Sequence, residues 1–296
     1  MNRTLTYNIS QRTCGQAVHT FLSQEGFSAA LLTKLRKDDT LCLINHIPSY
    51  LNTILQDGDI LTIKLLEDKA SEKIPPVKLD FQVIYEDEDI LVVNKPYNMP
   101  IHPSLNNYEN SLGNATAFYF RNEASPFVFR CVNRLDRDTT GLTIIAKNIL
   151  ASSILSSSIR DGQLHRIYYA IVEDLDSSLP DTGVINAPIS RREGSTIERF
   201  IDYVNGENAI THYNVLKREN GLALCKLILE TGRTHQIRVH MLSIGHPLIG
   251  DFLYNPDNHQ MSRQALHGGE LSFIHPTKKE VMHLSAPLPD DFIIKL

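Results

Sequence analysis

Strand-like runs of five to eight residues, closed off by proline and turn residues, are what most restrict the fold of this chain. They fall at 81–85, 90–94, 127–132, 142–146, 167–172, 222–229 and 236–241. Each either alternates in polarity or is continuously apolar and β-branched, as half-buried and fully buried strands are. Among them one segment has helical spacing, at Leu150, Ile154, Leu155 and Ile159, and Asp161-Gly162 stops it. Parallel strands need long crossovers, usually helical, and this region has few helices to supply them. The pattern therefore predicts an α+β fold, a mixed, largely antiparallel curved sheet with few flanking helices, in which some strands pair in parallel.

The first 68 residues follow a different pattern. Val18, Phe21 and Leu22 have helical spacing within 15–26, which ends at Gly26, and Ala29, Ala30, Leu31, Leu32 and Leu35 suggest a second helix. TLCLIN (40–45) and DILTIKL (59–65) then alternate as strands. KASEKIPPVK (69–78) is polar, carries a double proline and has no hydrophobic period, so it reads as a linker. Three parts are expected: a small α/β module at 1–68, the linker at 69–78, and a larger domain at 79–296.

Two stretches of the larger domain concentrate reactive side chains. Arg134-Leu135-Asp136-Arg137-Asp138-Thr139-Thr140-Gly141 puts a carboxylate between two arginines on a loop between apolar runs. A rigid scaffold presents reactive groups on such loops, and guanidinium neighbours favour a carboxylate as the anion. That is the form required of a nucleophile or general base; the plainer reading is a solvated, charged turn. The second stretch, TGRTHQIRVHMLSIGHPLIGD (231–251), alternates through His235-Gln236-Ile237-Arg238-Val239-His240. On a strand, Gln236, Arg238 and His240 would face one way and His235, Ile237 and Val239 the other.

NRLDRDTTGL (133–142) together with TGRTHQIRVHMLSIGHPLIGD resembles the signature of the RNA pseudouridine synthases of the large-ribosomal-subunit, RluA-like family. Three further matches follow in the expected order: DEDILVVNKPYNMPIHPS (87–104), RIYYAIV (166–172), and ALHGGELSFIHP (265–276) with SAPLPDDF (285–292). The resemblance spans roughly 77–296 and implies the pseudouridine synthase fold, with a cleft along the middle of the sheet. It implies isomerisation of uridine to pseudouridine in structured RNA, rRNA of the 23S type favoured and tRNA possible. Asp136 occupies the position of the catalytic aspartate, Arg238 that of its basic partner, and Tyr168 that of the active-site tyrosine that stacks on the base. Arg134 would extrude the target base, and Arg137, Lys95, His102, Arg233, His235 and Gln236 are the remaining candidates for RNA contact. Tyr169, next to Tyr168, should face away. Asp138 reads as a turn residue closing onto Thr139–Gly141. The N-terminal module resembles the S4-like RNA-binding module, but its usual arginine-rich second helix is reduced to Lys34, Arg36 and Lys37 followed by Asp38 and Asp39, so a spacer is the alternative. Four positions of the larger domain depart from the family pattern: Asn133 stands where histidine is usual, Thr140 for serine, Arg166 for lysine and Asn98 for a common glycine. Asparagine tolerates the left-handed backbone such a turn requires.

Breaking the bond from ribose C1′ to the base nitrogen, turning the base and rejoining it through carbon changes no redox state, so no cofactor is expected. Nor is a metal: His235 and His240 would lie on opposite faces of a strand, and G-x-G-x-x-G, the P-loop, H-E-x-x-H and the zinc-deaminase motifs do not occur. Asp136 could attack the sugar, attack the base or remove a sugar proton; the sequence leaves all three open. The alternative function is a non-catalytic RNA-binding or ribosome-assembly factor that keeps the fold. A net charge of −5 argues against a basic body, yet Arg130, Arg134, Arg137 and Lys147, with Arg191, Arg192, Arg199, Lys217 and Arg218, allow a local basic groove for RNA and none is expected for DNA. Four scattered cysteines without a C-x-x-C, an N-terminus without a signal-peptide core and no apolar run of membrane-spanning length lead to the expectation of a cytoplasmic protein, monomeric by default.

Overall fold

The computed structural model describes residues 1–105 and 107–294. Its N-terminal part comprises β1 (Arg3–Asn8), α1 (Val18–Gln24), α2 (Ala29–Leu35), β2 (Cys42–Ile44), β3 (Ile47–Pro48) and β4 (Ile60–Leu65). The strands pair in the order β1-β4-β2-β3. Both helices fall where the apolar spacing places them, and Ser28 caps α2 by accepting the Leu31 N–H. β1 carries no turn signal of its own and was not foreseen.

The rest comprises β5 (Gln82–Glu86), β6 (Ile90–Lys95), α3 (Leu112–Tyr119), β7 (Thr140–Ala146), α4 (Ile149–Arg160), β8 (His165–Glu173), β9 (Thr182–Asn186), β10 (Ile189–Arg191), β11 (Arg199–Ile201), β12 (Ile210–Glu219), β13 (Leu222–Leu229), α5 (Gln236–Ser243), β14 (Leu266–Ile274) and β15 (Val281–Ser285). β10 and β11 form a separate hairpin, and the other strands join one sheet in the order β5-β6-β7-β14-β8-β13-β12-β9, with β15 added to β14. Every pairing in the large sheet is antiparallel except β7 with β14, which is parallel over two residue pairs. The fold is thus α+β, mixed and largely antiparallel, as the strand-rich pattern predicts.

The N-terminal part is docked on this sheet. Leu150 of α4 completes its apolar core, with Ile149 and Ile154 packed against it. The Met1 ammonium donates to Lys147 O at 2.6 Å, and Arg3 Nε donates to Asp89 at 2.9 Å. Residues 69–78 run as irregular chain against α3 and the 127–129 segment, tied by Val77 N–H to Asn114 O and Phe129 N–H to Ser71 Oγ.

At its centre the large sheet forks. One edge of β14 pairs with β7 only at His267 and Gly268, and from Glu270 onward β15 takes that edge. The vacated edge of β7 is covered instead by residues 130–132, through Val132 N–H to Ile144 O and Ala146 N–H to Arg130 O. The expected strand at 127–132 is therefore reduced to a single bridge at Cys131, its upstream phenylalanines packing instead under α3. Asn133 fills the gap: its side chain donates to Leu142 O at 2.9 Å and accepts Ile144 N–H at 2.8 Å. The asparagine substitutes for a missing stretch of β-ladder, a sufficient reason for an amide where histidine is usual.

Gly141 makes the fork possible. It has φ +120°, and a Cβ there would sit 2.2 Å from Gly268 O. Gly141→Ala is expected to prise β7 from β14 and cost about 3 kcal/mol or more in a urea-denaturation measurement.

Candidate active site

Residues 133–139 leave the fork as a loop whose inner face opens on a cleft. Arg134, Leu135, Asp136, Thr139, Tyr168, Leu229, Arg233, His235, Gln236, Ile237, Arg238 and Leu266 line it. Two sequence segments a hundred residues apart thus converge with β8, as the motifs imply.

The second segment is not a strand. Gln236–Ser243 is α5, opened by His235 in the left-handed region at φ 58°. Its alternation of polar with apolar residues over the six positions Gln236–Met241 fits both periods, and the helix is buried on all sides from Gln236 to Met241, which removes the solvent face that would have betrayed a 3.6-residue repeat. Helical geometry puts Gln236 and His240 one turn apart on one face, and both hold Thr211 Oγ1, at 3.0 and 2.8 Å. Gln236 also accepts the Arg233 N–H and Thr231 O–H, so it braces the turn into α5.

Arg238 is almost completely buried and lies between two carboxylates. Nε and Nη2 donate to Asp251 at 2.6 and 2.8 Å, and Nη1 donates to Asp136 Oδ2 at 3.1 Å. Burial works against the guanidinium charge, but the Asp251 hydrogen bonds and the charges of Asp251 and Asp136 outweigh it and raise the pKa. Asp251 is sealed from solvent and also accepts the Leu253 and Tyr254 N–H groups. Asp136 has its side chain 28% exposed, and its Oδ1 carries no hydrogen bond among the described residues. The arginine is thus fixed by Asp251 and offers its remaining edge to Asp136.

His235 Nε2 stands 3.8 Å from Asp136 Oδ2. Burial, opposed by Asp136, pushes its pKa down to about 4, so it faces Asp136 as a neutral imidazole and not as an ion-pair partner. Tyr254 Oη accepts the Arg199 N–H, which leaves its own proton for His235 Nδ1 at 2.9 Å and assigns the imidazole proton to Nε2. The folded pKa lies below the unfolded value of 6.5, so between pH 6.5 and 4 the unfolded chain holds the extra proton and stability falls on acidification. His235→Asn, which suits the left-handed backbone, is expected to remove up to about 3 kcal/mol of that acid-side loss in urea midpoints measured across the window. His267, whose pKa burial also lowers to about 4, acts with the same sign and remains in the variant.

Tyr168 lies on the cleft side of β8 at 6% exposure, and burial raises its phenol pKa. Tyr169 packs on the opposite face and bonds Glu270. Arg134 lines the cleft, is exposed, and has no hydrogen bond or ion pair among the described residues. Arg233 also lines it, tied to Glu207 and to Asn208 O.

Lys95 and His102 are not brought into the cleft. Lys95 is fully buried beneath the Asp136 loop, its Nζ donating to Pro96 O, Met99 O and Arg137 O at 2.8, 2.8 and 3.0 Å. Burial pushes its pKa down to about 7 against the pull of Asp138 and Asp136. Three carbonyl acceptors need three donors, which only the ammonium has, so the geometry favours the charged form. The residue is a loop anchor. His102 sets its ring edge-on to Phe129, and partial burial and then the Arg134 charge lower its pKa. Asp138 sits in the turn that Thr139 N–H closes on Asp136 O, and its carboxylate accepts Arg137 Nε and Nη2. Asn98 has φ 53°, the left-handed conformation expected of it.

Asp251, Tyr254 and Gln264, which donates to Thr139 Oγ1 at 2.9 Å, were given no role from sequence. Asp251 closes an otherwise apolar LIGD run, and a carboxylate there has to find a cation, which was the available signal.

Among solved structures, human RNA pseudouridylate synthase domain containing 1 aligns with TM-score 0.60 at 24% identity over 74% of this chain and 87% of its own, and domain containing 4 with TM-score 0.57 at 25% identity over 72% and 90%. The class of protein is set by that likeness: a pseudouridylate-synthase fold with a carboxylate, a buried arginine and a tyrosine in its central cleft. The family model for RNA pseudouridylate synthase matches residues 89–243. The uncharacterized RNA pseudouridine synthase YjbO of Bacillus subtilis is 40% identical over 93% of this chain and 96% of its own length. Ribosomal large subunit pseudouridine synthase D of Haemophilus ducreyi is 35% identical over 75% and 71%. The chain belongs to the RNA pseudouridylate synthase family, and its activity is that of an isomerase acting on RNA.

Proposed function

We propose that this enzyme isomerises uridines of large-subunit rRNA in the cytoplasm, as a monomer, with Asp136 as the catalytic carboxylate. The observation that carries the reading is the convergence of Asp136, Arg238 and Tyr168 in one cleft, with Arg238 gripped from behind by Asp251. The target nucleotide must leave its stack to enter. Arg134, exposed and unpaired, is placed to take the vacated space, since a planar guanidinium can stack as well as bind phosphate. Tyr168 supplies a ring face to the flipped base. Asp136 Oδ2 is held by Arg238, which leaves Oδ1 to meet the nucleotide. In the isomerisation the C1′–N1 bond breaks, the C1′–C5 bond forms, and the proton lost from C5 is balanced by one gained at N1, so no external reactant is consumed. Relatives named for the large ribosomal subunit support the rRNA substrate.

Pseudouridine mapping of rRNA and tRNA from a strain lacking the gene, with and without the restored wild type, tests this. Loss and recovery at discrete large-subunit rRNA positions is the expected result. Changes confined to tRNA would overturn the substrate, and no change in any RNA would overturn the activity.

A further inference from the structure

Phe252 follows the buried Asp251 on the turn behind the cleft, yet the residue itself is 53% exposed. It does not hang on a loose loop. Asp251 Oδ1 accepts the N–H groups of Leu253 and Tyr254 at 3.0 and 3.1 Å, and Asp251 O accepts Asn255 N–H at 2.9 Å, so the backbone that presents the ring is fixed. Two guanidiniums flank it: the Cζ atoms of Arg137 and Arg238 each lie 5.7 Å from its centroid. Arg238 is the arginine that bonds Asp136, so the ring stands one side chain from the proposed reacting carboxylate. Arg137, on the same loop as Asp136, is itself about half exposed and keeps its planar group fixed on Asp138.

An exposed phenyl is costly in water unless something covers it. What covers this one has to suit a ring face bordered by positive charge. Both guanidiniums already hold carboxylates, Arg238 on Asp251 and Asp136 and Arg137 on Asp138 through Nε and Nη2, so the RNA entering the neighbouring cleft offers a base π-face to the ring and a phosphate to the remaining Nη1 of Arg137. We propose that Phe252 and Arg137 form a second nucleotide subsite, which stacks the base next to the uridine being isomerised. Extruding the target bares the bases on both sides of it; Arg134 in the vacated space covers one and Phe252 the other. The proposal rests on the reading of the cleft as the site of isomerisation.

The chain has no tryptophan, so Phe252→Trp installs a single indole at the subsite. Short oligouridylate is expected to quench its fluorescence, and an abasic ribose-phosphate chain of equal length is expected to leave it unquenched at concentrations that compete for binding. In parallel, Phe252→Ala should lower kcat/KM on a large-subunit rRNA transcript about 10-fold, with Phe252→Tyr restoring it. Equal quenching by the abasic chain, or wild-type kcat/KM for Phe252→Ala, would overturn the subsite. Quenching needs no turnover, so quenching of Phe252→Trp beside an inactive wild type sinks the activity and leaves the subsite standing.

Discussion

Asp136→Asn is expected to lower pseudouridine formation on the order of 10⁴-fold while leaving the fold and RNA binding nearly unchanged. The asymmetry follows from where the carboxylate sits. Its side chain is partly exposed, and its hydrogen bond comes from an arginine that Asp251 already satisfies with two others. Removing the Asp136 charge therefore leaves no buried group unpaired, and the stability cost should stay within about 1 kcal/mol. Release of tritium from RNA carrying C5-tritiated uridine reads the rate, and a urea midpoint reads the stability. A variant that keeps a tenth of wild-type turnover would remove Asp136 from its role, whatever its stability.

The loop that carries Asp136 was legible because its charges and its flanking apolar runs are contiguous in sequence. Arg238 could be paired with it only through the resemblance, since no periodicity connects residues a hundred positions apart. The helical state of Gln236–Ser243 was hidden because six alternating residues satisfy a strand and a fully buried helix equally, and tertiary burial decided between them. The loss of strand at 127–129 has the opposite cause. Phe127 and Phe129 do alternate as a strand would, but the edge they could pair with is taken up only from Arg130 onward, and their rings are drawn under α3. Lys95 is a candidate RNA contact only through the resemblance of the 87–104 segment. Its burial under three carbonyls is a property of the loop's path, and that path depends on the fork in the sheet. Local pattern thus specified which residues matter and long-range pairing specified what they do.

Asp251 tests that distinction most severely. With no exposed surface and two hydrogen bonds to Arg238, it holds the arginine that in turn holds Asp136. Asp251→Ala leaves a buried guanidinium whose remaining carboxylate partner is Asp136, a change expected to cost about 3–5 kcal/mol. Activity should fall with it by roughly 100-fold, because Arg238 is free to swing and Asp136 loses its fixed orientation. Stability loss alone would not establish a positioning role, so the double variant Arg238→Met, Asp251→Leu is the deciding measurement. Replacing both charges with apolar groups should recover part of the stability, since the ion pair is removed whole while the Leu253 and Tyr254 N–H groups lose their acceptor. It should not recover tritium release, since nothing then orients Asp136. The coupling energy from the full cycle of single and double variants separates the two roles. A double variant that regained both stability and turnover would show the pair to be mere core filling, and Asp136 would have to be held by His235 instead.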